Sequence, residues 1–170
     1  MDSIAFRRAV ATDYSAIVQL NAANFIDNLS EAERRDGFLS ALFTMEQTAA
    51  MAEDLGTTVA VADGQVVGFL CAFRNDFDHG SPVVAKMIES YDRLSFQERL
   101  LNTYQSYAYG PVCINRAYRR KGLLRGLFEE QKRQLAGRFE VGVALIARTN
   151  QHSLDAHIAG LGMTASAVLR

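Results

Sequence analysis

The segment with the clearest chemical content is Val112-Cys113-Ile114-Asn115-Arg116-Ala117-Tyr118-Arg119-Arg120-Lys121-Gly122-Leu123-Leu124-Arg125-Gly126. Apolar residues that suit a strand lead into a turn holding Arg119, Arg120 and Lys121, and from Gly122 a helical pattern takes over with Arg125 near its start. The first N–H groups of a helix have no partner inside it, and its dipole places partial positive charge at that end. With these cations alongside, the turn forms a cradle suited to phosphate. The spacing is neither G-x-G-x-x-G nor G-x-x-x-x-G-K-[ST], which argues against a dinucleotide fold and an NTPase. A cationic turn is more often a solvated surface, and occasionally a nucleic-acid patch. Its place between a strand and a helix favours the phosphate reading here.

Other side chains offer proton chemistry or a simpler packing role. His157 can donate a proton near neutral pH, yet it shares a helical stripe with Leu154, Ile158 and Leu161 that equally suits a packed histidine. Asn150, at the end of an apolar run, either caps the next helix or touches a ligand. Cys113 reads as a strand residue, because nothing basic nearby would make its thiol a nucleophile. Tyr107, Tyr109 and Pro111 share one face by period two, and they either pack the strand or line an acceptor site. Tyr107, Tyr109, Glu98, Asp76 and Asp78 are candidates for a proton acceptor, and none stands out.

These residues need elements to position them. Ile4 to Arg7 alternates as a strand, and Thr12-Asp13 precede a helical run from Tyr14 to Ala22. Ser30 and Glu33 form a capping-box pattern ahead of Phe38, Leu39, Leu42 and Phe43, and a helix is expected through Glu46 to Leu55, stopped by Gly56. Thr57–Ala62 and Val66–Phe73, joined through Asp63-Gly64-Gln65, predict a hairpin. No period dominates between Val83 and Leu101. Tyr104 to Ile114 predicts a strand whose pairing breaks at Pro111. The helix from Gly122 ends at Gly137 and carries Arg125, Glu129 and Arg133 as i,i+4 charge pairs. A strand over Val141–Ala147, a helix over Ser153–Leu161 closed by Gly162, and a last strand over Thr164–Leu169 complete the pattern.

Composition sets the class. The 170 residues, 49% hydrophobic and 22% charged, suit one globular domain spanning 1–170. The net charge of -1 supplies no global field for nucleic acid or anionic lipid, so any basic site must be local. Cys71 and Cys113 lie in apolar runs and read as reduced core thiols, with no metal-ligand spacing, which fits a cytoplasmic protein. No run of about 18 apolar residues suggests a membrane span.

Tyr118-Arg119-Arg120-Lys121-Gly122-Leu123 resembles the pyrophosphate-binding signature of the GNAT (GCN5-related N-acetyltransferase) superfamily, an Arg or Gln, two residues, a Gly, one residue, then Gly or Ala. Arg119 and Gly122 match, while Leu124 stands where the family has a small residue. Asn150-Gln151-His152-Ser153 and Gly162-Met163 are similar to its later motif, with Met163 in place of an aromatic. The resemblance implies an α/β (α+β) fold with a mixed, mostly antiparallel sheet of about six strands flanked by helices, splayed centrally to form a CoA cleft. It implies that acetyl-CoA is the co-substrate. Val112, Cys113, Ile114, Arg119, Arg120, Lys121, Gly122, Leu123, Leu124, Arg125, Asn150 and Ser153 would bind it. His157 falls where the family places a tyrosine acid, and Tyr109 is an acceptor-site or base candidate. The implied activity is acetyl transfer to an amine of a small molecule or peptide by direct attack in a ternary complex, in a monomer or homodimer. The alternative is a CoA or metabolite sensor of the same fold without turnover.

Overall fold

Alternating small and branched residues make the central hairpin, β2 (Thr57–Ala62) and β3 (Gln65–Phe73). Asp63 and Gly64 turn it, both at positive φ (49° and 78°), as a two-residue hairpin of this hand requires. The computed structural model describes residues 3–78 and 80–169. Its main sheet has five strands in the order β1 (Ile4–Arg8), β2, β3, β6 (Ser106–Ile114) and β7 (Val141–Ala144). All neighbours are antiparallel except β6 and β7, which are parallel. A short hairpin of β4 (Ser95–Phe96) and β5 (Arg99–Leu100) stands apart.

Helices cover both faces. α5 (Leu123–Leu135) lays Leu123, Leu127 and Leu135 on Ala60, Ala62, Val67, Leu70 and Ala72. α1 (Tyr14–Ala23) and α3 (Met45–Asp54) bring Ile17, Leu20 and Met51 to Val59, Phe69, Cys71 and Phe73 on the other face. The facing residues alternate along β2 and, from Phe69 to Phe73, along β3, as period two demands, and the register shift opposite Ala60 and Val61 puts Val67 on the same face as Leu70. Gly126 allows α5 its close approach to β1, because a Cβ there would lie 2.1 Å from the Phe6 ring. Arg125 pairs with Glu129 at 3.7 Å, as its spacing predicts. Arg133 differs from expectation and pairs with Glu130, while Lys132 approaches Glu129.

The Ser30–Glu33 capping box forms, with Glu33 N–H on Ser30 Oγ at 3.1 Å and Ser30 N–H on Glu33 Oε2 at 2.7 Å. The helix it starts, α2 (Glu31–Arg34), lasts one turn, and Phe38 to Phe43 are not helical. Gly37 at φ 99° follows it, and buried Asn21 holds the irregular stretch by donating to Ala41 O and accepting from Phe43 N–H. A second capping box, Thr44 with Gln47, opens α3. In the span without a clear period, Ser81 caps α4 (Pro82–Glu89) with Pro82 in its first turn. Thr164–Leu169, expected as a sixth strand, has no regular structure, and Leu169 packs against the apolar cluster of Met87, Tyr91 and Leu101. The run expected as a strand through Ala147 pairs only as far as Ala144.

Candidate CoA cleft

β6 changes character halfway along. Ser106 to Tyr109 pair with Val141 to Ala144 of β7, and beyond Tyr109 the two strands no longer pair. Against β3, the register shifts between Leu70↔Val112 and Ala72↔Tyr109, so Gly110 and Pro111 both stand opposite Cys71. Two residues against one is a bulge, and it inverts which side chains face α5. Tyr107 and Tyr109 face α5 before it, while Val112 and Ile114 do so after it and Cys113 joins the α1 face. Pro111 thus leaves the period-two set proposed from sequence. The Gln131 amide donates to the Cys71 carbonyl opposite the bulge at 3.1 Å and accepts from Tyr107 O–H at 3.0 Å, with Gln131 itself 2% exposed.

Where β6 parts from β7 there is a cavity of about 350 Å³. Its walls include Val112, Cys113 and Ile114 of β6, the turn residues Arg119, Arg120 and Gly122, and Leu123, Leu124 and Arg125 of α5. Asn150, Ser153 and His157 close it from the segment of α6 (Gln151–Asp155) and the wider turn Ala156–Gly160 that continues it. Of the residues the sequence proposed for cofactor binding, only Lys121 does not line it, lying instead with its ammonium 5.5 Å from the Tyr118 ring centre. Asp36, Gly37, Phe38 and His152 also line the cavity and were not singled out from sequence. For Asp36, Gly37 and Phe38 the only local signal was the capping box just upstream, which pointed to a longer helix, while His152 lay inside the Asn150-Gln151-His152-Ser153 segment.

Arg120 and Gly122 both take positive φ, 62° and 82°, and Gly122 stands at the N-cap of α5. Among the described residues, the backbone N–H groups from Arg120 to Arg125 meet no acceptor, and the first bonded one is Gly126 N–H on Gly122 O at 3.1 Å. They are the unpaired donors of a helix start on the wall of a cavity.

The cations divide unevenly. Arg119 spends its guanidinium internally, on Ile114 O (3.1 Å), Asp36 O (2.5 Å) and Asn24 Oδ1 (2.9 Å). Burial lowers its pKa below the ordinary value, though an arginine stays protonated. Arg119 is therefore a strut between the strand end, the loop at Asp36 and the end of α1. Arg116 reaches the same loop, 3.8 Å from the Asp36 carboxylate. Arg125 donates to Gly160 O at 2.5 Å, tying α5 to the turn after α6. Arg120 has no side-chain partner among the described residues.

Asn150 acts as the cap, accepting from Ser153 N–H at 3.4 Å, and its amide donates to Phe38 O at 2.9 Å across the cavity wall. His157 is 2% exposed, with Nδ1 2.7 Å from Ser153 O and Nε2 2.9 Å from Tyr109 Oη. A carbonyl can only accept, so Nδ1 carries the hydrogen. Burial lowers the His157 pKa, the Ser153 bond partly opposing it, so the ring is neutral at pH 7 and its bare Nε2 accepts the Tyr109 O–H. Burial also drives the Tyr109 phenol well above its ordinary pKa, so it stays protonated. Cys113 is pushed up to about 12 by burial, with Arg119 opposing, and is a thiol at neutral pH. Of the other proton-acceptor candidates, Tyr107 is bonded to Gln131, Asp76 and Asp78 line a separate hollow beside Asn75, and Glu98 is exposed in the β4–β5 turn.

A parallel strand that splays from its neighbour, a bulge at the parting and a helix start beside it give a GNAT-like fold, and solved structures superpose on it. The aminoglycoside N-acetyltransferase AAC(6')-Iy in complex with CoA superposes over 100% of this chain and 93% of its own, with a TM-score of 0.67 at 14% identity. Diaminobutyrate acetyltransferase EctA from Paenibacillus lautus, in complex with L-2,4-diaminobutyric acid and coenzyme A, matches over 95% of this chain and 76% of its own (TM-score 0.62, 16% identity). A GNAT family acetyltransferase from Brucella melitensis with acetyl-CoA matches over 96% and 84% (TM-score 0.56, 20% identity). The sequence itself matches no family profile and no curated protein. The likeness is one of fold. No described helix is long and apolar enough to cross a membrane.

Proposed function

We propose that the protein is an acetyl-CoA-dependent N-acetyltransferase. The observation that carries this reading is the row of unpaired N–H groups from Arg120 to Arg125 on the wall of the cavity along the unpaired half of β6. In this reading those groups and Arg120 hold the pyrophosphate, while the backbone of Val112, Cys113 and Ile114 receives the pantetheine and the thioester. An amine nitrogen attacks the thioester carbon, the developing oxyanion takes a backbone N–H from this stretch, and the sulfur leaves towards the wall formed by Ser153 and His157. With Tyr109 and Cys113 both protonated, no covalent acyl-enzyme step is invoked. Water in the open cleft takes the amine proton.

The neighbours of like fold include structures with the bisubstrate analogue CoA-S-monomethyl-acetylneamine and with L-2,4-diaminobutyric acid, which makes small molecules carrying more than one amine a sensible first acceptor class. Calorimetric titration with acetyl-CoA and with CoA tests the cofactor, and micromolar affinity, about -8 kcal/mol, is expected. Thiol release over a panel containing L-2,4-diaminobutyric acid and neamine then tests transfer. Tight binding with no release on any amine would favour the sensor reading, to which Leu124 on the cavity wall lends its bulk. No binding of either nucleotide would overturn both.

A further inference from the structure

The hydrogen bonds around His157 run in one direction. Tyr109 O–H points to Nε2, and Nδ1–H points back to Ser153, whose carbonyl lies at 2.7 Å and whose Oγ lies at 3.3 Å. Since Nδ1 carries the hydrogen, Ser153 Oγ can only accept from the ring, and the hydroxyl proton is not spent there. Among the described residues Ser153 Oγ has no other partner, and Ser153 is half-buried on the cavity wall. The ring, by contrast, has no proton to offer the cavity. Its Nδ1–H is committed to the Ser153 carbonyl and its Nε2 is an acceptor.

We propose that Ser153, and not His157, is the side chain that meets the departing sulfur, with its hydroxyl proton turned into the cleft by the Tyr109–His157 pair. The inference rests on the acetyl-CoA reading above. When the C–S bond breaks, its electron pair goes to sulfur, and Ser153 O–H donates a hydrogen bond to the thiolate and passes its proton on only as Oγ takes one from cleft water. Ser153 Oγ recovers a proton from cleft water, which carries the one shed by the amine nitrogen, so the net transfer is from nitrogen to sulfur. His157 and Tyr109 keep their protonation states throughout and are positioning residues. The Ser153 carbonyl fixes the tautomer, Tyr109 holds the ring by donating to Nε2, and the ring edge packs at 86° to the phenol with 5.3 Å between centroids, which fixes its orientation.

The test needs no acceptor amine. CoA is bound to the full chain and its thiolate is followed by ultraviolet absorbance as pH is raised. A hydrogen bond to the charged form lowers the pKa of the bound thiol. Ser153→Ala is therefore expected to leave about tenfold less thiolate at a given pH, with CoA still bound, and Ser153→Thr to restore it. Tyr109→Phe, which removes the hydrogen bond that holds the ring at Nε2, is expected to give a loss of about threefold. A bound thiol whose titration is unmoved by Ser153→Ala overturns the assignment, and so does failure of Ser153→Thr to restore it. An unmoved titration in Tyr109→Phe overturns the positioning role. Absence of CoA binding in the unmodified protein removes the cofactor reading and this inference with it, which separates that failure from the others.

Discussion

The two halves of β6 share one strand and serve opposite ends. From Ser106 to Tyr109 β7 pairs along one side, β3 pairs with Ala108 and Tyr109 on the other, and α5 lies above through the Tyr107–Gln131 bond. From Gly110 onward the β7 side is empty of strand, and the wall opposite comes from the segment after Asn150. The first half resembles a protein interior, where polar groups are paired and removal of atoms leaves a void. The second half presents unpaired donors and a cavity, which a packed interior does not tolerate without a ligand or water. The bulge at Gly110 and Pro111 is the seam, and Gln131 reaches to it from the packed side. An open cavity thus stands beside a close-packed half of the same strand.

Perturbing each half separately sharpens that contrast. The largest effect is expected from Leu127→Ala in the core between α5 and the sheet, where Leu127 is fully buried. It should cost about 2–5 kcal/mol in denaturant unfolding and leave CoA affinity of the folded protein little changed. Arg119→Ala comes next, because three acceptors lose one guanidinium. A stability loss of about 1–3 kcal/mol is expected. As a strut, Arg119 should leave the salt dependence of CoA binding intact, whereas Arg120→Ala should flatten it with no loss of stability. The reverse pattern would make Arg119 the phosphate contact.

Gly122→Glu should weaken CoA binding by tenfold or more in calorimetry, about 1.4 kcal/mol, by placing a carboxylate in the cradle and a side chain at φ 82°. Unchanged affinity would move the phosphate site elsewhere. A smaller effect is expected from acid. The folded-state pKa of His157 lies below its unfolded value, so its contribution to stability is present above about pH 6.5 and is lost as pH falls towards the folded pKa. His157→Gln should flatten that part of the stability–pH curve. The smallest belongs to Asp13, whose carboxylate is held below its ordinary pKa chiefly by the Arg7 hydrogen bonds, at 2.7 and 3.0 Å. Its contribution is present above about pH 4 and lost below, so Asp13→Asn should blunt only the acid end of the curve. With the Arg7 side chain 43% exposed, solvent keeps that effect small.

Local signals carried far in the framework. The Asp63-Gly64 turn, the stop at Gly56, the start of α5 after Gly122 and the break at Pro111 were all legible, because each depends on the backbone preference of one or two residues. The capping box at Ser30 was legible too, but its consequence was not. A cap favours the first turn of a helix and says nothing about the next, and the hydrogen bonds from Asn21 to Ala41 and Phe43 outweighed helix continuation there. Thr164–Leu169 has strand-like composition, and a strand still needs a ladder partner that this stretch does not have in the described structure.

The cradle was determined by the sequence alone. A glycine able to take positive φ at the start of an amphipathic helix, flanked by cations, suits an anion, since its donors are the helix's own unpaired N–H groups. Which cation faces the ligand was decided only by tertiary structure. Arg119 has the motif position yet is drawn inward by Ile114, Asp36 and Asn24, and Arg120 is left at the cavity. The proton chain from Tyr109 through His157 to Ser153 likewise exists only because the fold brings Tyr109 within 2.9 Å of a ring 48 residues away. Backbone conformation is set by near neighbours in sequence, whereas side-chain hydrogen bonds are set by whatever packing brings within 3 Å or so.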